Sequence, residues 1–74
     1  MPKYPVLKAS EIIKILHILG FDEVRQKGSH KQFKNKEGKI TTIPFHKNRD
    51  ISPILLKHIL KEIDVDLELF SKYL

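Results

Sequence analysis

The stretch that decides the fold runs from Asp22 to His46 and reads DEVRQKGSHKQFKNKEGKITTIPFH. Polar and apolar residues alternate along much of it, and a period of two is typical of strands with one buried face. Gly28-Ser29 has the composition of a two-residue hairpin turn, and Lys36-Glu37-Gly38 that of a three-residue loop with Gly38 left-handed. The pattern predicts three antiparallel strands, over residues 22–27, 30–35 and 39–46.

The Gly28-Ser29 turn determines which side chains share the open face of this predicted sheet. A two-residue turn places Lys27 opposite His30. The next pair with the same orientation is Arg25 and Gln32, because side chains alternate between faces. The open face is therefore predicted to carry a mostly basic set, namely Arg25, Lys27, His30, Gln32, Lys34 and His46.

The other face of the predicted sheet is expected to be buried. The same register pairs Val24 with Phe33, and both are apolar. A three-residue second loop aligns Ile43 and Phe45 with this pair, whereas an even-length loop would expose them. We therefore expect all four side chains to lie in the core.

The segment before the strands has the pattern of an amphipathic helix. Ser10 is a suitable N-cap and Glu11 complements the helix dipole. Gly20 is a suitable C-terminal cap. Apolar residues recur between them at helical spacing, at Ile12, Ile15, Leu16 and Leu19.

The segment after the strands predicts a second helix and a short third one. Ser52 is the expected N-cap of the second helix and Pro53 its first helical residue. Asp66 is suited to cap the third segment, whose apolar residues are expected to dock on the core: Leu67, Phe70 and Leu74. The predicted class is α+β, an α-β-β-β-α domain over residues 1–74 with helices on one face of the sheet. This order of elements resembles the double-stranded RNA-binding-domain fold.

Composition narrows the functional classes. A chain of 74 residues has room for one small domain and no large substrate cavity. No apolar run approaches the length of a membrane span, and the first residues do not read as a signal peptide. The absence of cysteine from the sequence fits a reducing cytoplasm, so a cytoplasmic location is expected.

Positive charge is concentrated in the middle of the chain. The net charge is +5, and the segment from Arg25 to Arg49 has eight Lys or Arg against the single acid Glu37. Such a basic segment is the electrostatic pattern of a protein that binds phosphate backbones. If about four to six of its cations contact single-stranded phosphates, log affinity should fall with log salt at a slope of roughly −3 to −4. A solvated lysine-rich surface is the alternative interpretation.

His30 is the strongest candidate for chemistry among the four histidines. An imidazole titrates near neutral pH, so it can serve as base or acid when a ribose 2′-hydroxyl attacks the adjacent phosphodiester, with nearby cations stabilising the transition state. An ordinary surface histidine is the alternative. His46 is either a second proton-transfer or phosphate-binding group or an ordinary strand-end residue, and His17 and His58 are expected to be helix residues without a role.

Metal chemistry is not indicated by the sequence. Glu62, Asp64, Asp66 and Glu68 are close together, but such a run is usually solvated, and no His or Cys ligand spacing accompanies it. We therefore expect no metal site and no cofactor.

Four segments of the chain resemble a known family. Residues 28–33, Gly-Ser-His-Lys-Gln-Phe, resemble the Gly-Ser-His-x-x-aromatic signature of HicA toxins, also described as YcfA-like predicted RNA-binding proteins. Leu19-Gly20-Phe21 is similar to the end of the family's first helix, Thr42-Ile43-Pro44-Phe45-His46 to its third strand, and Ile59-Leu60-Lys61 to its second helix. The similarity runs from about Leu7 to Val65.

The resemblance implies an mRNA interferase, an endoribonuclease toxin of a type II toxin–antitoxin pair, with His30 as the catalytic group. It also implies a HicB-like antitoxin that covers the active surface. RNA binding is then expected of Arg25, Lys27, Ser29, Gln32, Lys34, His46 and Lys47, and cleavage is expected to need no metal. The alternative is a non-catalytic RNA-binding module with the same basic face; a purely protein-binding role needs an exposed apolar groove that the sequence does not indicate.

Overall fold

The computed structural model describes residues 3–46 and 49–74, which form an α+β domain around one hydrophobic core. The elements in chain order are β1 (Leu7–Lys8), α1 (Ala9–Ile18), β2 (Asp22–Lys27), β3 (His30–Lys34), β4 (Ile40–Pro44), β5 (Asp50–Ile51), α2 (Pro53–Ile63) and α3 (Leu67–Ser71). An antiparallel sheet has the order β2-β3-β4, and β1 pairs with β5 in a separate two-stranded ladder. The predicted α+β class with a three-stranded sheet is confirmed. The two strands after the hairpin turn are shorter than predicted.

α1 ends as the sequence predicted but begins differently. Gly20 has φ of +92°, and the amide of Phe21 donates to the carbonyl of Leu16, which is the bonding pattern of a Schellman cap. The predicted N-cap Ser10 is wrong, because α1 already begins at Ala9. The carboxylate of Glu11 accepts the backbone N–H of Lys8 at 3.0 Å, so a side chain within the helix supplies the capping bond.

α2 and α3 begin with the predicted caps. Ser52 Oγ accepts the amide of Leu55 at 3.1 Å, and Pro53 is the first residue of α2. Asp66 Oδ1 accepts the amide of Leu69 at 2.8 Å and so caps α3. α3 buries Phe70 and partly buries Leu67. The expected docking of Leu74 is wrong, since this residue is 56% exposed.

The core lies between the helices and one face of the sheet. Phe33 of β3 and Ile43 of β4 are fully buried there with apolar residues of both long helices. Thr41 is the buried polar residue of this face, and its hydroxyl donates to Glu62 of α2 at 2.9 Å. Burial of these strand residues leaves the other face of the sheet to solvent.

Two apolar residues expected in the core lie outside it. Val24 is 53% exposed, because a β-bulge between Glu23 and Arg25 makes Glu23, not Val24, the partner of Phe33. Phe45 lies beyond the end of β4 and is 36% exposed, with the ammonium of Lys31 4.5 Å from its ring centroid. A cation–π contact takes the place of the expected core packing of Phe45.

None of the helices in the described residues has the length and apolar character needed to cross a membrane.

Candidate nucleic-acid interface

The hairpin of β2 and β3 positions His30. Gly28 has φ of +59°, as the first central residue of a type II′ turn requires, and the turn places Lys27 opposite His30 as predicted. Arg25 lies opposite Gln32, also as predicted. Because Phe33 is buried three residues after His30, the alternation of β3 directs His30 to the solvent side of the sheet.

Two rows of side chains cross this solvent side, which we call the open face. The histidine row runs across the three strands through Lys27, His30 and Pro44. The adjacent glutamine row has one residue from each strand: Arg25, Gln32 and Thr42. Neighbouring strands are about 4.8 Å apart and alternate residues of one strand about 7 Å, so the two rows bring their polar groups within reach of one nucleotide.

A shallow depression of about 240 Å³ lies where the two rows meet. It is open to solvent, and its lining includes no carboxylate; the lining residues are Arg25, Lys27, His30, Gln32 and Thr42. Four of them belong to the predicted open face. Thr42 was missed by the sequence analysis, although its position one residue before the core residue Ile43 is a signal for it.

Ser29 and His46 meet beside the hairpin turn. Ser29 Oγ and His46 Nε2 share a hydrogen bond of 3.3 Å. The carbonyl of Ser29 also accepts the amide of Phe45 at 2.6 Å, so the turn before His30 is attached to the chain leaving β4. His46 follows the strand instead of ending it, as β4 stops at Pro44. The predicted RNA-binding residue Lys47 lies outside the described residues.

The basic segment is divided between different parts of the surface. Lys34 shares the open face with the two basic residues of the depression and lies opposite Asp22 of β2. Lys31 is on the helix side of β3, where its ammonium is 3.5 Å from the carboxylate of Glu23. Lys39 forms a 3.0 Å ion pair with Asp64 at the end of α2. The described residues of the open face therefore include three Lys or Arg side chains, the same three that the sequence predicted there, namely Arg25, Lys27 and Lys34.

The helix histidines are separate from the depression. The ring of His17 packs edge-on against Phe33, with 5.9 Å between the ring centroids, which places it on the helix side of the sheet. His58 is exposed on α2. Within residues 3–46 and 49–74, no three or more His, Asp or Glu side chains are grouped so that they could hold a metal ion.

These features define a small α+β protein whose helices cover one face of a three-stranded sheet and whose other face is basic, with an exposed histidine next to a tight turn. The family model described as "HicA toxin of bacterial toxin-antitoxin" matches residues 9–65, from the start of α1 to just beyond α2, and the chain belongs to this family of toxins. No curated protein matches the sequence significantly.

Proposed function

We propose that the protein is an endoribonuclease, an mRNA interferase, in which the open face binds RNA and His30 transfers the proton. The observation that carries this proposal is the position of His30, which is exposed in a depression that it shares with Arg25 and Lys27. Membership of a family of toxins from bacterial toxin–antitoxin pairs supports it.

The proposed reaction uses the RNA's own nucleophile. His30 as a base takes the proton of a ribose 2′-hydroxyl, whose oxygen forms a bond to the adjacent phosphorus as the bond to the 5′-oxygen breaks. The leaving 5′-oxygen takes up a proton, from the imidazolium or from water. The products are a 2′,3′-cyclic phosphate, which water opens to a 3′-phosphate, and a 5′-hydroxyl.

The cations of the depression have two tasks in this proposal. Lys27 lies opposite His30 and Arg25 belongs to the adjacent row, so both lie beside the phosphate on which His30 acts. They stabilise the negative charge that grows on the phosphoryl oxygens, and a guanidinium can do so with two parallel hydrogen bonds. Lys34, Ser29, Gln32, His46 and Lys47 complete the proposed RNA-binding set.

We propose that cleavage does not depend on a metal ion. A two-metal or Mg²⁺ mechanism uses carboxylates to hold the ion beside the scissile phosphate. The residues that line the depression are cationic or neutral, and this donor set suits phosphate far better than a divalent cation. No cofactor is proposed.

The proposed partner is a HicB-like antitoxin that covers the open face through an acidic surface. A basic face is attracted to acidic groups, and charge complementarity directs association and excludes wrong partners. Reversing the charge of Arg25 and Lys27 is expected to weaken the complex during co-purification, and unchanged association would place the interface elsewhere. We propose that residues 1–74 act as one domain in the cytoplasm, within a stress response.

The experiment that tests the proposed function is cleavage of a labelled messenger RNA by the purified protein in the presence of a chelator. The proposal expects cleavage to continue and to leave cyclic-phosphate or 3′-phosphate ends. Activity that is lost in chelator and restored by Mg²⁺ would contradict the metal-independent reaction. RNA binding without cleavage under any of these conditions would support a non-catalytic binding module instead.

A further inference from the structure

Thr42 has a position that the proposed reaction does not use. Thr42 is exposed on the open face and lies opposite Gln32 in the ladder of β3 and β4. Both residues line the depression that contains His30. The neighbouring Thr41 points to the opposite face and is buried against α2, so the two threonines have different surroundings.

The neutral residues of the glutamine row, Gln32 and Thr42, differ from the cations of the open face in the hydrogen bonds that they can form. A phosphate group offers only acceptors, and lysine and arginine offer only donors, so cations alone satisfy a phosphate. The amide of Gln32 and the hydroxyl of Thr42 both donate and accept hydrogen bonds. Such a pair suits a group that also does both, which in RNA is a base edge or a ribose 2′-hydroxyl.

Stacking does not explain how a nucleotide would be held on this face. The chain has six aromatic residues, four Phe and two Tyr, and none lines the depression. Phe21, Phe33 and Phe70 are buried in the core, and Phe45 lies beyond the end of β4 with its ring in contact with Lys31, which is on the helix side of the sheet. Tyr4 packs against the core and Tyr73 lies against α1, so single-stranded RNA would have to be recognised here by hydrogen bonds.

We infer that Thr42 and Gln32 form a nucleotide-selecting subsite one row away from His30, and that Thr42 is a further substrate-contacting residue. The subsite binds a neutral group of a nucleotide that flanks the scissile phosphate, either its base edge or a 2′-hydroxyl other than the attacking one. This inference rests on the proposed function, because it assumes that the open face binds RNA. It adds discrimination between nucleotides to a face whose cations bind any sequence.

The test compares Thr42→Val with Thr42→Ser and with the control Ile40→Val. Valine removes the hydroxyl and keeps the shape, whereas serine keeps the hydroxyl. Ile40 is an exposed residue of the same strand and face that does not line the depression. Short RNAs of one length are used that differ in a single base beside the cleavage site, or in a single 2′-deoxy position on the 3′ side of the scissile phosphate, so that the attacking 2′-hydroxyl is always retained.

Thr42→Val is expected to weaken RNA binding and to lower subsaturating cleavage about 2- to 10-fold, the effect of one neutral hydrogen bond. The loss should depend on the base if Thr42 contacts a base edge, or disappear at a 2′-deoxy position if it contacts the 2′-hydroxyl. Thr42→Ser should restore binding, and Ile40→Val should change neither quantity. An equal effect of Thr42→Val on every RNA, or no effect, would overturn the subsite while leaving the nuclease intact.

Failure of the proposed function would give different results from failure of the subsite. If the wild-type protein binds RNA without cutting it, the nuclease proposal fails, and the same RNAs are compared by affinity alone. Selective weakening in Thr42→Val, with recovery in Thr42→Ser, then supports the subsite in a binding protein. Equal affinities for all variants, or no RNA binding by the wild type, overturn it.

Discussion

Replacing His30 with alanine separates catalysis from binding and stability in this protein. The imidazole is exposed, and in the described residues it makes no hydrogen bond, ion pair or ring contact with another side chain. Its removal opens no cavity in the core, so the free energy of unfolding should change by no more than about 0.5 kcal/mol. Arg25, Lys27 and Lys34 remain on the open face, so most of the RNA affinity should also remain.

The cleavage rate should respond much more strongly than stability to His30→Ala. Removal of a general acid or base lowers a rate by about 10²- to 10⁴-fold, which corresponds to roughly 3–5 kcal/mol in the activation free energy. His58→Ala is the matched control, because His58 is exposed on α2; His17 is a poorer control, since its ring contacts Phe33. The assay is single-turnover cleavage of a labelled RNA, with thermal unfolding and equilibrium binding of each variant.

Wild-type cleavage by a folded His30→Ala variant would refute the catalytic assignment. A large loss of stability would also refute the reasoning, because it would show that the imidazole supports the fold. A loss of rate that is matched by an equal loss of affinity would mean that His30 binds RNA without taking part in the proton transfer.

Four other predictions follow from the structure. With three cations among the described residues of the open face, log affinity for single-stranded RNA should fall with log salt at a slope of about −2, and a slope near zero would contradict phosphate binding. Gly28→Ala should lower the unfolding free energy by roughly 1–2 kcal/mol in denaturant titrations, since alanine disfavours a positive φ; an unchanged midpoint would contradict the turn geometry. Thr41→Val should cost about 1 kcal/mol through loss of its hydrogen bond to Glu62, measured in the same way, with no change in RNA affinity. His46→Ala and Ser29→Ala should slow cleavage by similar factors, and the double variant by no more than either, if their hydrogen bond positions the turn; additive losses would indicate separate roles.

The hairpin and the helix ends could be predicted because they depend on neighbouring residues. Gly28-Ser29 can form a two-residue turn whatever the rest of the chain does, and Ser52-Pro53 begins a helix for reasons contained in those two residues. The loop between β3 and β4 could be predicted for the same reason, because it too depends on neighbouring residues. Gly38 has φ of +85°, and Asn35 bonds to Lys39 across the three predicted loop residues.

The bulge at Val24 could not be read from the sequence. β2 is an edge strand, and all six of its residues are exposed, so little burial energy fixes the side to which each one points. A strict alternation assigns Val24 to the core because it is apolar. The structure places Glu23 opposite Phe33 instead, where its carboxylate pairs with Lys31.

The ladder between β1 and β5 was also beyond sequence reasoning. Each strand is two residues long, which is too short for a period of two to be visible. Leu7 and Ile51 are opposite each other and buried, and they are far apart in the chain. Their pairing depends on how the helices pack. Lys8, the second residue of β1, is also the N-cap of α1, where Ser10 had been expected.

The face of the sheet on which each residue of the candidate site lies could nevertheless be predicted. It depends only on whether a short stretch of chain has an odd or an even number of residues. His30 and Phe33 are an odd number of residues apart, so burial of the phenylalanine exposes the histidine. The two-residue turn then places Lys27 on the same face as His30. The loop between β3 and β4, which has an odd number of residues, places Thr42 there too. The bulge precedes Arg25, so the extra residue shifts only the beginning of β2 and leaves the depression unchanged.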